Sequence, residues 1–222
     1  MHTNWTQYHD ISVDIPRVKN PTVLGFSAYF HDSSACIVKD GKVLAGAEEE
    51  RFTRRKHDNG FPINAIQFCL KEAGVKPDLV VFFENPDRKF ERIKETLTAS
   101  AHSDEIYKTI FNLWENVKSK EKIQAKLREA TGLDNDIIFL DHHLSHAASA
   151  YLVSGYENAA LVTIDGVGEK TTTTIGRGTG NKIEMLQEIE FPHSIGLLYT
   201  SLTVFLASSK LAAVAHVIPP RT

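Results

Sequence analysis

Three residues of this chain have the types and spacing to hold a divalent metal ion: His142 and His146, four apart, and Asp165, followed at once by Gly166. Histidines at i and i+4 share one face of a helix, where their rings converge. The flanking residues supply that helix. Ile137-Ile138-Phe139-Leu140 is apolar and β-like, and Ala147 to Leu152 favours helix, so the pair sits where a strand hands over to a helix. Open α/β sheets place ligands at that end of a strand. Asp165 closes a second apolar strand, and Gly166 lets backbone approach a ligand closely. Two imidazoles and a carboxylate suffice for a catalytic cation with open positions, and they accept iron, manganese or zinc. His143 and Asp141 are on hand to orient the ligands. The plainer alternative is a helix N-terminus whose histidines pair locally.

Two further segments carry reactive side chains. Phe30-His31-Asp32-Ser33-Ser34 follows an apolar strand. It suits either a phosphate or carbonyl contact or a polar turn capped by Asp32 and Ser33. Glu48-Glu49-Glu50-Arg51-Phe52-Thr53-Arg54-Arg55-Lys56-His57 sets an acidic block against a basic one. It reads as a solvated charged face or as a clamp for a phosphoryl group. Asp165-Gly166-Val167-Gly168-Glu169-Lys170 is a Gly-containing turn but not a P-loop, having no Gly-Lys-Ser/Thr.

The elements that must position these groups form a repeated plan. Val23–Ser27, Ser34–Val38 and Lys42–Glu48 read as strands, with Lys39-Asp40-Gly41 as a hairpin turn. Phe61-Pro62 opens a helix that Gly74 ends. Leu79–Phe83 reads as a strand buried on both faces. From about Arg88 to Ala130 the chain is charged and helical, with Ile106, Ile110, Leu113, Trp114 and Val117 at helical spacing. The plan then restarts: strands Ala159–Ile164, Thr171–Ile175 and Ile183–Ile189, a turn over Gly176–Asn181, then Phe191-Pro192 and an amphipathic helix Ser194–Leu206. This internal repeat predicts two related α/β units, each with three antiparallel strands extended by parallel ones. By analogy of fold, such a duplication is actin-like, of the ribonuclease H-like kind. The expected layout is a polar leader over 1–20, a first unit over 21–156 with a helical insertion at about 88–130, and the start of a second unit over 157–206. An atypical tail over 207–222 has no clear turn or strand logic.

Composition bounds the class. The 222 residues are 42% hydrophobic and 24% charged, with a net charge of −3. That balance gives no electrostatic footprint for nucleic acid and no basic membrane patch. No apolar run is long enough to span a bilayer, and the first residues lack a signal peptide's apolar stretch. Cys36 and Cys69 stand apart in apolar contexts, which reads as buried thiols in a reducing, cytoplasmic setting.

Five segments together resemble the O-carbamoyltransferase family of nodulation protein U and the cephalosporin and tobramycin carbamoyltransferases. They are His31-Asp32-Ser33-Ser34-Ala35, the block Glu48 to His57, His142-His143-Leu144-Ser145-His146-Ala147-Ala148-Ser149-Ala150, Asp165-Gly166-Val167-Gly168-Glu169, and Phe191-Pro192-His193-Ser194-Ile195-Gly196-Leu197-Leu198-Tyr199. The resemblance runs from about Val23 to Leu206. It implies an actin-like transferase domain, normally followed by a domain that makes carbamoyl-adenylate from carbamoyl phosphate and ATP. The carbamoyl group then passes to a hydroxyl of a small-molecule acceptor. By the family pattern His142, His146 and Asp165 hold a divalent metal, iron first. His31 contacts the carbamoyl-adenylate near the attacked carbon. Lys56 contacts the nucleotide phosphate, and Asp165 and Gly196 line the same site.

After Leu206 the family's continuation is missing, so the second unit is expected to be incomplete and the chain inactive alone, for want of the C-terminal adenylate-forming domain. Two other readings use the same residues: an actin-like ATPase or metal-dependent phosphohydrolase, and a non-catalytic module of a split enzyme.

Overall fold

The computed structural model describes residues 4–9, 15–99, 108, 111–112 and 118–208. It is a mixed α/β fold with two sheets. Contacts divide the chain into two compact units, Ser12–Asp141 and Met1–Ile11 with His142–Thr222. The division falls just before the histidine helix, whereas the sequence pattern suggests a boundary at 156–157.

The unit Ser12–Asp141 is built on a five-stranded sheet. Its strands are β2 (Val23–Ser27), β3 (Ser34–Lys39), β4 (Lys42–Glu48), β5 (Leu79–Phe82) and β6 (Ile137–Phe139), in the order β4-β3-β2-β5-β6. β2, β3 and β4 pair antiparallel; β5 joins β2, and β6 joins β5, in parallel. The alternation of the sequence decides which face is buried. Leu24, Phe26, Ala35, Ile37, Val80 and Phe82 all point into one core. Leu79 and Val81 are only partly buried, so β5 is less enclosed than its continuous apolar run suggests. Asp40 and Gly41 both have positive φ, giving the two-residue turn between β3 and β4.

Helices cover that core. The short α1 (Glu50–Thr53) follows β4, and α2 (Ile63–Ala73) sets Ala65, Ile66 and Cys69 against the sheet before Gly74 ends it. The helical insertion contains α3 (Pro86–Ala99) and α4 (Lys120–Thr131). α4 is capped by the Ser119 side chain and buries Ile123 and Leu127. Ile106, Ile110, Leu113, Trp114 and Val117 lie outside the described residues, as does the tail from 209 onward.

The other unit carries a four-stranded antiparallel sheet, β1 (Thr6–Gln7), β9 (Lys182–Glu190), β8 (Thr171–Thr179) and β7 (Asn158–Ile164), in that spatial order. β1 lies in the stretch that reads as a loose leader. It pairs Thr6 with Glu188, and the buried Glu188 carboxylate accepts from the backbone N–H of His9. β8 runs to Thr179, past the Gly176 at which the sequence suggests a turn, because its pairing with β9 continues to Thr179↔Lys182. α5 (His142–Tyr151) packs Ala147 and Tyr151 on Leu161 and its neighbours. α6 (Ile195–Ser208) follows β9 but is less amphipathic than its pattern suggests, with Leu198, Tyr199, Leu202, Val204 and Phe205 all exposed. Among the described residues, no helix is long and apolar enough to cross a membrane.

Candidate metal centre and neighbouring loops

α5 begins two residues after β6, and its first turn carries His142 and His146 on one face, with ring centroids 4.6 Å apart. Asp165 is the first residue beyond β7, and its backbone N–H bonds the Thr172 carbonyl at 2.9 Å. Its two carboxylate oxygens have separate tasks. Oδ1 accepts the Gly166 N–H at 2.6 Å, which fixes the carboxylate to its own loop. Oδ2 lies 2.9 Å from His142 Nε2 and 3.9 Å from His146 Nε2, and the two Nε2 atoms are 3.0 Å apart.

The loop and helix are held to this geometry by close packing. A Cβ on Gly168 would fall 2.3 Å from Cδ2 of His142, so only glycine lets this loop lie against the imidazole. A Cβ on Gly196 would fall 2.4 Å from the Asp165 carbonyl oxygen, which places the first turn of α6 directly on the Asp165-Gly166 backbone. Ser194 caps that helix by accepting from Leu197 N–H, and its hydroxyl lies 2.6 Å from the Gly166 carbonyl. His143 is buried and tethers α5 to the sheet. Its Nε2 donates to the Thr171 carbonyl at 2.9 Å, leaving Nδ1 to accept from the Thr163 hydroxyl at 2.6 Å.

The donor set fits a divalent cation. Donors bound about 2.1 Å from one ion lie about 3.0 Å apart at an octahedral angle and about 3.4 Å apart at a tetrahedral one; the three spacings here are 2.9, 3.0 and 3.9 Å. The hydrogen-bonding logic agrees. A ring nitrogen carries either a proton or a lone pair, so His142 Nε2 cannot donate to Asp165 and accept from His146 at once. A cation taking all three lone pairs removes that conflict. The Asp165 carboxyl is held far below the usual carboxylate range, first by the hydrogen bond from His142 and then by the nearby His146 imidazole, against burial that raises it. Anionic at any ordinary pH, it is ready to ligate. The His146 side chain is 52% exposed, so the centre opens to solvent on that side.

The remaining site candidates lie in the unit Ser12–Asp141. His31 is exposed and its Nδ1 lies 2.7 Å from Asp32 Oδ2. Lys56 is exposed on the loop after α1. Asp32, Glu50 and His57 also bring one donor atom each within 4.8 Å of the others. Asp141, expected from the sequence to orient the histidines, pairs with Arg88 at 2.8 Å. His143 turns to Thr163 and Thr171. Ser194, the clasp on Gly166, is a site residue not expected from the sequence; the Ser before a helical run is the available signal.

Comparison with known proteins places the chain in a family. Residues 22–213 match the family described as carbamoyltransferase N-terminus. An uncharacterised protein of Synechocystis, sll1178, is 42% identical over 195 residues, covering 82% of this chain and 31% of that protein. Nodulation protein NolNO of Sinorhizobium fredii is 30% identical over 207 residues, covering 90% of this chain and 28% of that protein. The chain thus spans about a third of the length of these relatives. Among solved structures, YeaZ from Pseudomonas aeruginosa matches with a TM-score of 0.42 and 12% identity, over 79% of this chain and 70% of that one, a likeness too weak to argue from. On the family match over residues 22–213, the chain belongs to the carbamoyltransferase family, as its N-terminal portion.

Proposed function

We propose that the chain is the part of an O-carbamoyltransferase that passes a carbamoyl group from carbamoyl-adenylate to a hydroxyl of a small-molecule acceptor. The observation that carries this reading is the convergence of His142 Nε2, His146 Nε2 and Asp165 Oδ2, in a chain of the carbamoyltransferase family. Carbamoyl-adenylate is a mixed anhydride, made from carbamoyl phosphate and ATP, so its carbonyl is already activated. The catalyst's task is to orient the hydroxyl, take its proton and stabilise charge on the leaving AMP.

The metal would be held by His142, His146 and Asp165. Two histidines and one carboxylate favour ferrous iron, with Mn2+ or Zn2+ as substitutes. When bound, it supplies Lewis-acid polarisation of a carbonyl or phosphoryl oxygen. The other roles fall to side chains of the chain itself. His31, exposed and neighboured by a carboxylate, takes the proton of the acceptor hydroxyl. Lys56 offsets the phosphate charge that grows as the bond from the carbamoyl carbon to the phosphate oxygen breaks. Gly196 keeps the first turn of α6 against the Asp165 loop. The relatives are about three times as long, leaving room in such a protein for a partner domain that forms the adenylate.

The test is acceptor carbamoylation by the longest natural form of the protein, supplied with carbamoyl phosphate, ATP and Fe2+. A hydroxyl carbamate that disappears in His142→Ala is expected. Phosphate release from ATP or a phosphomonoester without carbamoyl phosphate, and with no carbamate formed, would instead support the ATPase or phosphohydrolase reading.

A further inference from the structure

The turn between β2 and β3 and the loop between α1 and α2 are far apart in sequence but stitched together. Tyr29 N–H bonds the Asn59 carbonyl at 2.9 Å, and Ser33 N–H bonds the Asp58 carbonyl at 2.8 Å. Four residues in these segments have left-handed backbones, among them Asp32 and His57 with φ of 52° and 58°. Asp and His tolerate that region better than most side chains, yet it is uncommon for any residue but glycine. At Asp32 and His57 it accompanies a direct contact: His57 Nδ1 lies 2.6 Å from Asp32 Oδ1. The other oxygen, Oδ2, lies 2.7 Å from His31 Nδ1. One carboxylate therefore sits between two imidazoles.

The protons in this array can be placed. Both histidines pull the Asp32 carboxyl below its ordinary range, the His57 hydrogen bond being the largest cause. As a carboxylate it can only accept, so both Nδ1 atoms must donate. Each neutral ring then carries its lone pair on Nε2. His57 is anchored in turn, since its backbone N–H donates to Glu50 Oε2 at 2.8 Å. The nearness of Asp32, Glu50 and His57 is accounted for by these hydrogen bonds, without an ion.

We propose that His57 is a positioning residue. Acting through Asp32, it keeps His31 in the tautomer with Nδ1 protonated and Nε2 free to receive a proton. The catalytic consequence rests on the reading of His31 as the base in carbamoyl transfer. In that step the acceptor oxygen bonds to the carbamoyl carbon as its proton passes to His31 Nε2. The bond from that carbon to the phosphate oxygen breaks, and AMP leaves with the electron pair. The imidazolium formed at His31 faces the Asp32 carboxylate, which stabilises it. Without His57, one oxygen of Asp32 loses its donor and the carboxylate is free to turn from His31.

The tautomer is read directly by long-range 1H–15N correlation of the histidine rings in the purified chain. The wild type is expected to show His31 protonated at Nδ1. His57→Ala is expected to shift His31 toward the Nε2-protonated form, and His57→Gln, which keeps a donor, to restore the wild-type pattern. If His57→Ala does not fold, His57→Phe, which keeps a ring and removes the donor, serves, and the same shift of His31 is expected. An Nε2-protonated His31 in the wild type, or a His31 pattern unmoved by His57→Ala, would overturn the proposal. So would stoichiometric Zn2+ shifting the His31 and His57 signals of a His142→Ala, His146→Ala variant, since the cluster would then be a metal site. In the longest natural form, His57→Ala is expected to lower kcat about tenfold or more with KM unchanged. Full transfer activity in His31→Ala would remove the base reading, while the tautomer result would stand by itself.

Discussion

Gly168 and His142 touch so closely that a single added carbon at Gly168 would lie 2.3 Å from the imidazole. The position of the His142 ring, a proposed metal ligand, is thus set by a loop 26 residues further along the chain. Gly168→Ala must push the ring or the loop aside. The expected cost is about 1–3 kcal/mol of stability, read from urea unfolding, with a loss of about 10–100-fold in Mn2+ affinity.

His143 is adjacent to His142 but turned away from it, bonded to Thr163 and to the Thr171 carbonyl. Its role is to anchor α5. His143→Ala leaves a buried hydroxyl and carbonyl short of a partner and is expected to cost about 1–3 kcal/mol. Mn2+ should still bind at one ion per chain, which calorimetry reports. A lost metal site with unchanged stability would reverse the roles given to His142 and His143.

Cys69 lies in the core against the Ala35 carbonyl. Burial pushes its thiol from 9.0 up to about 11, and burial raises Cys36 as well. The folded state therefore keeps these protons at a pH where the unfolded chain has released them. Stability is full below about pH 9 and falls as pH rises from there toward 11. Urea midpoints at pH 8 and pH 10 measure the slope, which Cys69→Ala should flatten. Cys36, expected from sequence to be buried, is only partly so; the full burial of Cys69 predicts its negligible alkylation by iodoacetamide at pH 8 until the protein unfolds.

Metal affinity should weaken in acid. Imidazoles ligate in their neutral form, so protons compete with the cation. The Asp165 carboxyl, held well below the usual range, stays charged and does not contribute to the loss. Mn2+ titrations at about pH 7.5 and about pH 5.5 should show the weaker binding at the lower pH. Equal affinity at both would place the ion on carboxylates alone.

Much of the architecture could be read from local pattern. The alternation in β2 and β3, the Asp40-Gly41 turn and the Phe61-Pro62 start and Gly74 stop of α2 are all short-range signals. The i, i+4 spacing of His142 and His146 is short-range too. What could not be read depends on residues meeting from afar. The pairing of Thr6 with Glu188 bridges 182 positions, and polar residues near a terminus give no hint of it. The contact between Asp32 and His57 spans 25 positions and forms only because two loops fold onto each other. The crowding of Gly168 on His142 is likewise invisible until the loop is seen against the ring, since a glycine in a loop reads first as a turn.

One cation held by His142, His146 and Asp165 is central to the proposed chemistry. The most direct measurement is calorimetric titration of the purified chain with Mn2+ at neutral pH, alongside Asp165→Ala and the His142→Ala, His146→Ala double variant. One ion per chain is predicted, with affinity reduced more than about 100-fold in both variants. Undiminished binding in the variants, or none in the wild type, would contradict it.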